Sequence, residues 1–400
     1  MVPRGRAWKA TGIGVFRGQC RLSRLTLLSV TASLVLHGLS LGLWKSQGIV
    51  TAPLLLTSRE EFPICISESC VQNKARTLAR VWERHPLPNW CGGPAAPPPA
   101  AAASPDTNST NGLVLIKVPK SASSTIAGVV LRIAELHNCP VRWQHAQATE
   151  VVSLPHNRSN TFWIAPVRHP YPRALSSVYY HAVSLQAGRG GRGQPADAHV
   201  VRQLERIPAN YISEYTRVSV QQTSAAQIVK EILDHYHFLL VVEEMEASLV
   251  VWAWLSDLTL EDMVTMSSKT AGSWYATGRG RCVSLIKPVI TPAVSSYWQE
   301  RGTRRHLTDR LLHAAAVHSL HQTIQRGMGQ TLFAQRLAEF RALQAYVQNV
   351  CAMTFNESAP CSPSGVYQPK VATRACYLRD FGCGHECVDE AVKLYSQSLV

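Results

Sequence analysis

Apolar residues along this chain fall into two patterns. Short, nearly unbroken apolar runs occur at Leu113–Val118, Thr161–Val167 and Phe238–Val242. Runs of that length bounded by polar turns read as strands buried on both faces. Each is followed, directly or after a loop, by residues whose apolar positions recur every three or four places, as a helix burying one face requires. The first such stretch is 124–137, with Ile126, Val129, Val130, Ile133 and Leu136; others lie at about 172–185 and Glu246–Leu255. This alternation predicts an α/β fold, a mostly parallel sheet flanked by helices. Beyond residue 300 the pattern is helical only, over 303–326 ending at Gly327 and over 331–350. The latter carries Phe333, Leu337, Phe340, Leu343, Val347 and Val350. No internal repeat is evident.

The first hundred residues follow another logic. Leu25–Trp44 lacks Asp, Glu, Lys and Arg and has about the length that spans a bilayer. Arg4, Arg6, Lys9, Arg17, Arg21 and Arg24 precede it with no acid among them. The pattern predicts a cytoplasmic tail over 1–24, a transmembrane signal-anchor over 25–44 and a lumenal body, the type II arrangement. A cleavable signal peptide is the alternative, but the run is long for one and no small-x-small site follows. Residues 45–111 are expected to form a stem, since the Pro/Ala-rich stretch 92–105 cannot build a core. A globular domain over 112–350 and a Cys-rich C-terminal extension over 351–400 complete the expected organisation.

Composition sharpens this picture. Four hundred residues at 46% hydrophobic content can bury a large core, and a net charge of +14 favours anionic partners. Cys20 lies before the expected anchor, leaving an even ten cysteines beyond it, and sequons occur at Asn108, Asn157 and Asn356. Both features suit an oxidising secretory lumen. Cys351, Cys361, Cys376, Cys383 and Cys387, with His385 among them, read as disulfide formers ahead of a zinc site. The Gly/Arg stretch 186–195 is expected to be a flexible basic loop. His313, His318 and His321 have no i, i+4 pairing and read as surface histidines.

The candidate chemistry lies at two strand ends. Lys117-Val-Pro-Lys-Ser-Ala-Ser-Ser-Thr125 stands where the first strand passes into a helix. There the Lys120 ammonium and the hydroxyls of Ser121, Ser123, Ser124 and Thr125 gather beside backbone N–H groups and the positive end of the helix dipole. The segment is an anion cradle without being a Walker A loop, whose G-x-x-x-x-G-K-[ST] is absent. The plainer reading is a helix cap supplied by a Ser or Thr hydroxyl. Arg168 follows Lys120 by 48 residues, at the C-terminal end of the second apolar run, and Ser176 lies eight residues on. A guanidinium fork and a hydroxyl so placed suit a second phosphate, with a strand-end ion pair and an ordinary helix serine as the plainer readings. Two anion sites in sequence imply a ligand carrying two separate anionic groups.

Pro119-Lys-Ser-Ala-Ser-Ser-Thr125 resembles the 5′-phosphosulfate loop of sulfotransferases, and Arg168 with Ser176 resembles their 3′-phosphate site. The nearer likeness is to Golgi carbohydrate sulfotransferases, especially the galactose-3-O-sulfotransferase group, whose later strand–helix unit Leu239–Trp252 also resembles. The likeness spans roughly 112–350. It implies a sulfotransferase fold, the donor 3′-phosphoadenosine-5′-phosphosulfate (PAPS) as co-substrate, no metal, a glycan hydroxyl as acceptor and a Golgi membrane location; no nucleic acid partner is expected. It assigns Lys120, Ser121, Ala122, Ser123, Ser124, Thr125, Arg168 and Ser176 to donor binding, with Lys120 also neutralising the leaving oxygen. Ala122 stands where cytosolic relatives carry Gly, so the loop is expected to avoid positive φ there. The transfer needs a general base, for which His145, beside Arg142 and Trp143, is preferred to Glu150, His137 and His156. Lys117 either adds positive field or is an ordinary strand-edge lysine. The competing readings are an inactive glycan- or nucleotide-binding module on the same fold and a nucleotide-dependent kinase. Against the latter stand the missing Walker pair and the lack of a magnesium carboxylate beside the loop.

Overall fold

Three strands of the central sheet rise from the most apolar runs of the chain: β1 (Gly112–Ile116), β3 (Thr161–Val167) and β4 (Phe238–Val241). A fourth, β2 (Val141–Gln144), pairs along β1. All pairings are parallel, in the order β2–β1–β3–β4. Every residue of β1, β3 and β4 is buried, so both faces of the sheet are covered. The computed structural model describes residues 67–87, 91, 112–152, 160–184, 194–222, 224–266, 273–276, 281–284, 286–357 and 385–398.

Helices dominate what surrounds the sheet. They are α1 (Glu68–Leu78), α2 (Ser123–Leu136), α3 (Ala148–Val152), α4 (Pro170–Val178), α5 (Asp197–Arg206), α6 (Tyr211–Thr216) and α7 (Ala225–His235). After β4 come α8 (Met245–Ser256), α9 (Leu260–Met263), α10 (Pro292–Tyr297), α11 (Leu307–Gln322), α12 (Gln330–Glu357) and α13 (His385–Ser398), while Ser273–Ala276 and Arg281–Ser284 form a separate antiparallel pair. The expectation of a fold carried by a mostly parallel α/β sheet is thereby corrected: the protein is predominantly helical, with a small four-stranded parallel sheet. The reason lies in the helical periodicity of nearly everything after residue 286.

No helix among the described residues is long and apolar enough to cross a membrane. That finding withdraws the expected transmembrane anchor, the type II topology, the membrane partner and the Golgi membrane location. The run 25–44 itself, the tail 1–24, His156, the sequons at Asn108 and Asn157 and most of 186–195 lie outside the described residues.

Part of the expected stem belongs to the folded body. Helix α1 starts at Ser67, whose Oγ accepts from the Cys70 N–H, and buries Val71 and Ala75. Its face meets α11, in which Ala314, Ala315 and Ala316 are buried. The chain then runs extended along α11: Arg80 N–H donates to Ser319 Oγ (3.0 Å) and Trp82 N–H to Thr323 Oγ1 (2.9 Å). The Trp82 ring is buried edge-on to Phe238 of β4. Cys91 closes this segment onto Cys139, just before β2. At the following corner Gly112 has φ +87°, and a Cβ there would lie 2.1 Å from the Pro140 carbonyl oxygen.

The C-terminal extension is joined as well. α12 runs past the expected end at residue 350 to Glu357, and Cys351 on it is bonded to Cys387 on α13. Arg132 of α2, almost wholly buried, reaches Asp389 at 2.7 Å. The helix expected to stop at Gly327 continues through a π-helical turn, Thr323–Met328, and ends at Gly329, whose φ of +90° turns the chain out. A second, smaller cluster holds Ala174, Leu175, Val178, Val200, Leu204 and Trp298. There Tyr171, Trp298 and His306 stack face to face.

Replacing Trp82 by Ala should lower unfolding stability by about 3–5 kcal/mol in a denaturant titration, whereas a free stem would leave it unchanged. Burial, with Arg173 and Arg305 nearby, holds the His306 imidazole down at about 4 from its ordinary 6.5. A depressed histidine stabilises the fold only while neutral, so stability is full above pH 6.5 and lost as pH falls toward 4, on the order of 3 kcal/mol. His306→Phe should flatten that part of the stability–pH curve; an unchanged slope would contradict it.

Candidate functional site

In the order β2–β1–β3–β4 the chain leaves β1 toward one neighbour and returns to pair β3 on the other side. Open parallel sheets bind ligands at such a switch point, beyond the carboxyl ends of the strands. Here those ends belong to β1 and β3, which carry the cradle loop and Arg168. A cleft of about 850 Å³ opens there, lined by Pro119, Lys120, Ala122, Ser123, Ser124, Thr125, His145, Arg168 and Ser176. All the sequence-derived site residues therefore meet in one cleft except Ser121, which lies beneath its floor, buried, its Oγ without a hydrogen-bond partner.

The cradle loop is held in an unusual backbone shape. Lys120 (φ +65°) and Ala122 (φ +52°) are both left-handed, with Ser121 between them at negative φ. Alternation of this kind is the backbone pattern of an anion nest, although the Ser121 N–H here donates to the Val118 carbonyl (3.3 Å). It costs roughly 1–2 kcal/mol at each non-glycine residue. The expectation that the loop avoids positive φ at Ala122 is corrected: the residue adopts it and becomes the N-cap of α2. An alanine offers no capping oxygen, so the N-cap residue makes no side-chain cap. The N-cap position is thus not a Ser or Thr, and the helix N-terminus borders the cleft.

Arg168 completes the loop from β3. Its Nη1 donates to the Lys120 carbonyl (2.9 Å), its Nε is buried without a hydrogen bond, and Glu243 stands 3.9 Å away. Burial lowers its pKa and Glu243 opposes that shift. Ser176 lines the same cleft from α4. The Lys120 ammonium lies over the Tyr180 ring. Lys117, expected at a strand edge, is buried against the Trp143 ring, 5.1 Å from its centroid.

His145 is exposed at the cleft rim, its Nδ1 2.8 Å from the Lys117 carbonyl. A carbonyl only accepts, so Nδ1 carries the hydrogen and Nε2 keeps the lone pair that a base needs. Of the other base candidates, His137 and Glu150 do not line the cleft, and His156 lies outside the described residues. His137 pairs with Asp262 at 3.0 Å, and Glu150 is exposed on α3.

Sequence reading missed several cleft residues. Tyr179, Tyr180, His181 and Ser184 enter it because α4 ends in a π-helical turn over Tyr179–Ser184. Such turns recur at functional sites, but periodicity does not announce them. Burial, then the Lys120 charge, lowers the His181 pKa. Tyr211 enters from α6, whose first N–H groups at Ile212 and Ser213 are held by buried Asp309. The Arg173 guanidinium backs the Tyr211 ring at 4.3 Å. Lys287 closes the far side. The cleft thus has two lysines, an arginine and two histidines and, among its described lining residues, no carboxylate.

The three histidines expected at the surface each have a partner: His313 with Glu243 (3.1 Å), His318 with Gln72 (3.0 Å) and His321 with Glu244 (2.8 Å). Among the described residues no group of His, Cys, Asp and Glu could hold a metal ion, and Cys387 of the tail is committed to Cys351. The chain matches no known family model, no curated protein and no solved structure. The sulfotransferase likeness therefore rests on the motif residues themselves.

Because Ala122 is left-handed, Ala122→Gly should leave stability within about 1 kcal/mol of the parent. Ala122→Val should lose about 2 kcal/mol or more, since β-branched residues resist positive φ. Equal stability of the two variants by thermal unfolding would refute the loop geometry.

Proposed function

We propose that this domain transfers a sulfuryl group from PAPS to a glycan hydroxyl. What carries the reading is the convergence, in one cleft without carboxylates, of the left-handed cradle, Arg168, Ser176 and His145. The fit of the donor is argued from that residue set. The loop N–H groups and the hydroxyls of Ser123, Ser124 and Thr125 suit the 5′ anionic group. Arg168, with a buried unpaired Nε, and Ser176 suit the 3′-phosphate. Tyr179, Tyr180 and Tyr211 offer ring faces for a base or a sugar.

When bound, PAPS supplies an activated sulfuryl group on a good leaving group. The protein's part is positioning and charge stabilisation, as in phosphoryl transfer. Lys120 would leave the Tyr180 ring to neutralise charge growing on the departing oxygen. The loop N–H groups hold the remaining oxygens and require no reorganisation, because the loop is already strained into shape. His145 Nε2 accepts the acceptor hydroxyl proton, its tautomer fixed by the Lys117 carbonyl. Displacement is in line, with the proton ending on the imidazole.

An inactive binding module on the same fold would keep the cleft and lack turnover. A nucleotide kinase would need carboxylates to hold magnesium beside the phosphates, and the described cleft lining offers none.

With sulfur-labelled PAPS and a panel of glycans, Lys120→Ala and Arg168→Ala should each reduce transfer by at least 100-fold. His145→Ala should lower kcat by roughly 100-fold or more with little change in donor affinity. Undiminished transfer in these variants would sink the site assignment, and donor binding without transfer to any glycan would favour the inactive module.

A further inference from the structure

Three neighbouring strands end at the cleft, and one residue beyond each is tied to the next. From the β3 end, Arg168 holds the carbonyl of Lys120, beyond the β1 end, at 2.9 Å. Arg168 Nε in turn lies 3.9 Å from Oε1 of Glu243, beyond the end of β4. The same carboxylate oxygen accepts the backbone N–H of His169 at 3.0 Å, and Oε2 is 3.1 Å from His313 Nε2 on α11. Burial would raise the Glu243 pKa, but His313 and the backbone N–H groups outweigh it and hold the carboxyl below its ordinary range. Glu243 is therefore a fixed negative charge, anchored on two sides, beside the one guanidinium that grips the cradle. It does not line the donor cleft.

We propose that Glu243 is a positioning residue: it aims the Arg168 guanidinium so that Arg168 secures the Lys120 carbonyl and the left-handed turn. The inference rests on the sulfotransferase reading for the identity of the anion, not for the mechanics of the loop. At 3.9 Å the Glu243–Arg168 contact acts through charge and not through a hydrogen bond. The arginine Nε is buried and otherwise unpaired, so removing that charge leaves its guanidinium uncompensated. A long, flexible side chain then turns toward water, and the Lys120 carbonyl loses its partner. With that hydrogen bond gone, the cost of positive φ at Lys120 is less well offset, and the loop loosens.

Glu243→Gln removes the charge while the amide oxygen still accepts from His169 N–H; its –NH2 then faces His313 Nε2, which must turn from donor to acceptor there. Hydrogen exchange on the full chain should show amides of 117–126 exchanging roughly tenfold faster in Glu243→Gln, with α11 unchanged. Affinity for PAP, the desulfated donor product, should fall roughly tenfold by calorimetry. In turnover the donor KM should rise more than kcat falls, and Glu243→Asp should recover most of each loss. Unchanged loop exchange overturns the proposal, as does faster exchange spread through the sheet and α11, which would mark a general structural role. Faster loop exchange in a protein whose parent form binds no PAP supports the positioning role and overturns the donor reading instead.

Discussion

The hydrogen bond from Arg168 to the carbonyl of Lys120 is the constraint on which the cleft depends. It spans the two strand ends that flank the switch point and fixes a loop that local sterics would not choose. Two left-handed non-glycine residues in three positions are an expense that local sequence does not offset. The arginine side chain can hold them only because its own desolvation is countered by a carboxylate from the next strand. Sheet order, loop shape and cleft charge are thus one arrangement: β1, β3 and β4 must lie side by side for Lys120, Arg168 and Glu243 to meet.

Much of this was legible in the residues. Continuous apolar runs located β1, β3 and β4 because strands buried on both faces have nowhere to put polar side chains. The spacing of Lys120, Arg168 and Ser176 pointed to side chains that do meet in one cleft, since strand ends of a parallel sheet share one edge. The hidden parts have physical causes. The dominance of helix over sheet was missed because three strand–helix alternations say nothing about how much helical mass follows them. Arg80 and Trp82 carry no periodic signal, since an extended segment pairing its N–H groups with Ser319 and Thr323 hydroxyls belongs to no repeating element. The positive φ of Ala122 was unreadable because an alanine, unlike a glycine, does not signal a left-handed backbone.

The cleft's character follows from what is kept out of it. Carboxylates abound nearby, yet Glu243, Glu244 and Glu246 are each engaged with His313, His321 or Arg341 rather than facing the cradle. Of the cations that line the cleft, Arg168 has Glu243 at 3.9 Å behind it, and no carboxylate is among the described lining residues. The Lys120 ammonium lies over the Tyr180 ring, a contact that does not cancel its charge. Tyrosine faces around the same space give a nucleoside or sugar something to stack on.

The central claim is that this cleft reads two separate anionic groups on one nucleotide. It is tested most directly by comparing PAP with AMP, which lacks the 3′-phosphate, in calorimetric titrations of the same protein. A charge-assisted phosphate contact of about 1.5–3 kcal/mol corresponds to roughly ten- to a hundredfold. PAP should bind tighter than AMP by that factor, and the advantage should vanish in Arg168→Ala. Equal affinity for the two nucleotides, or binding of neither, would contradict the account.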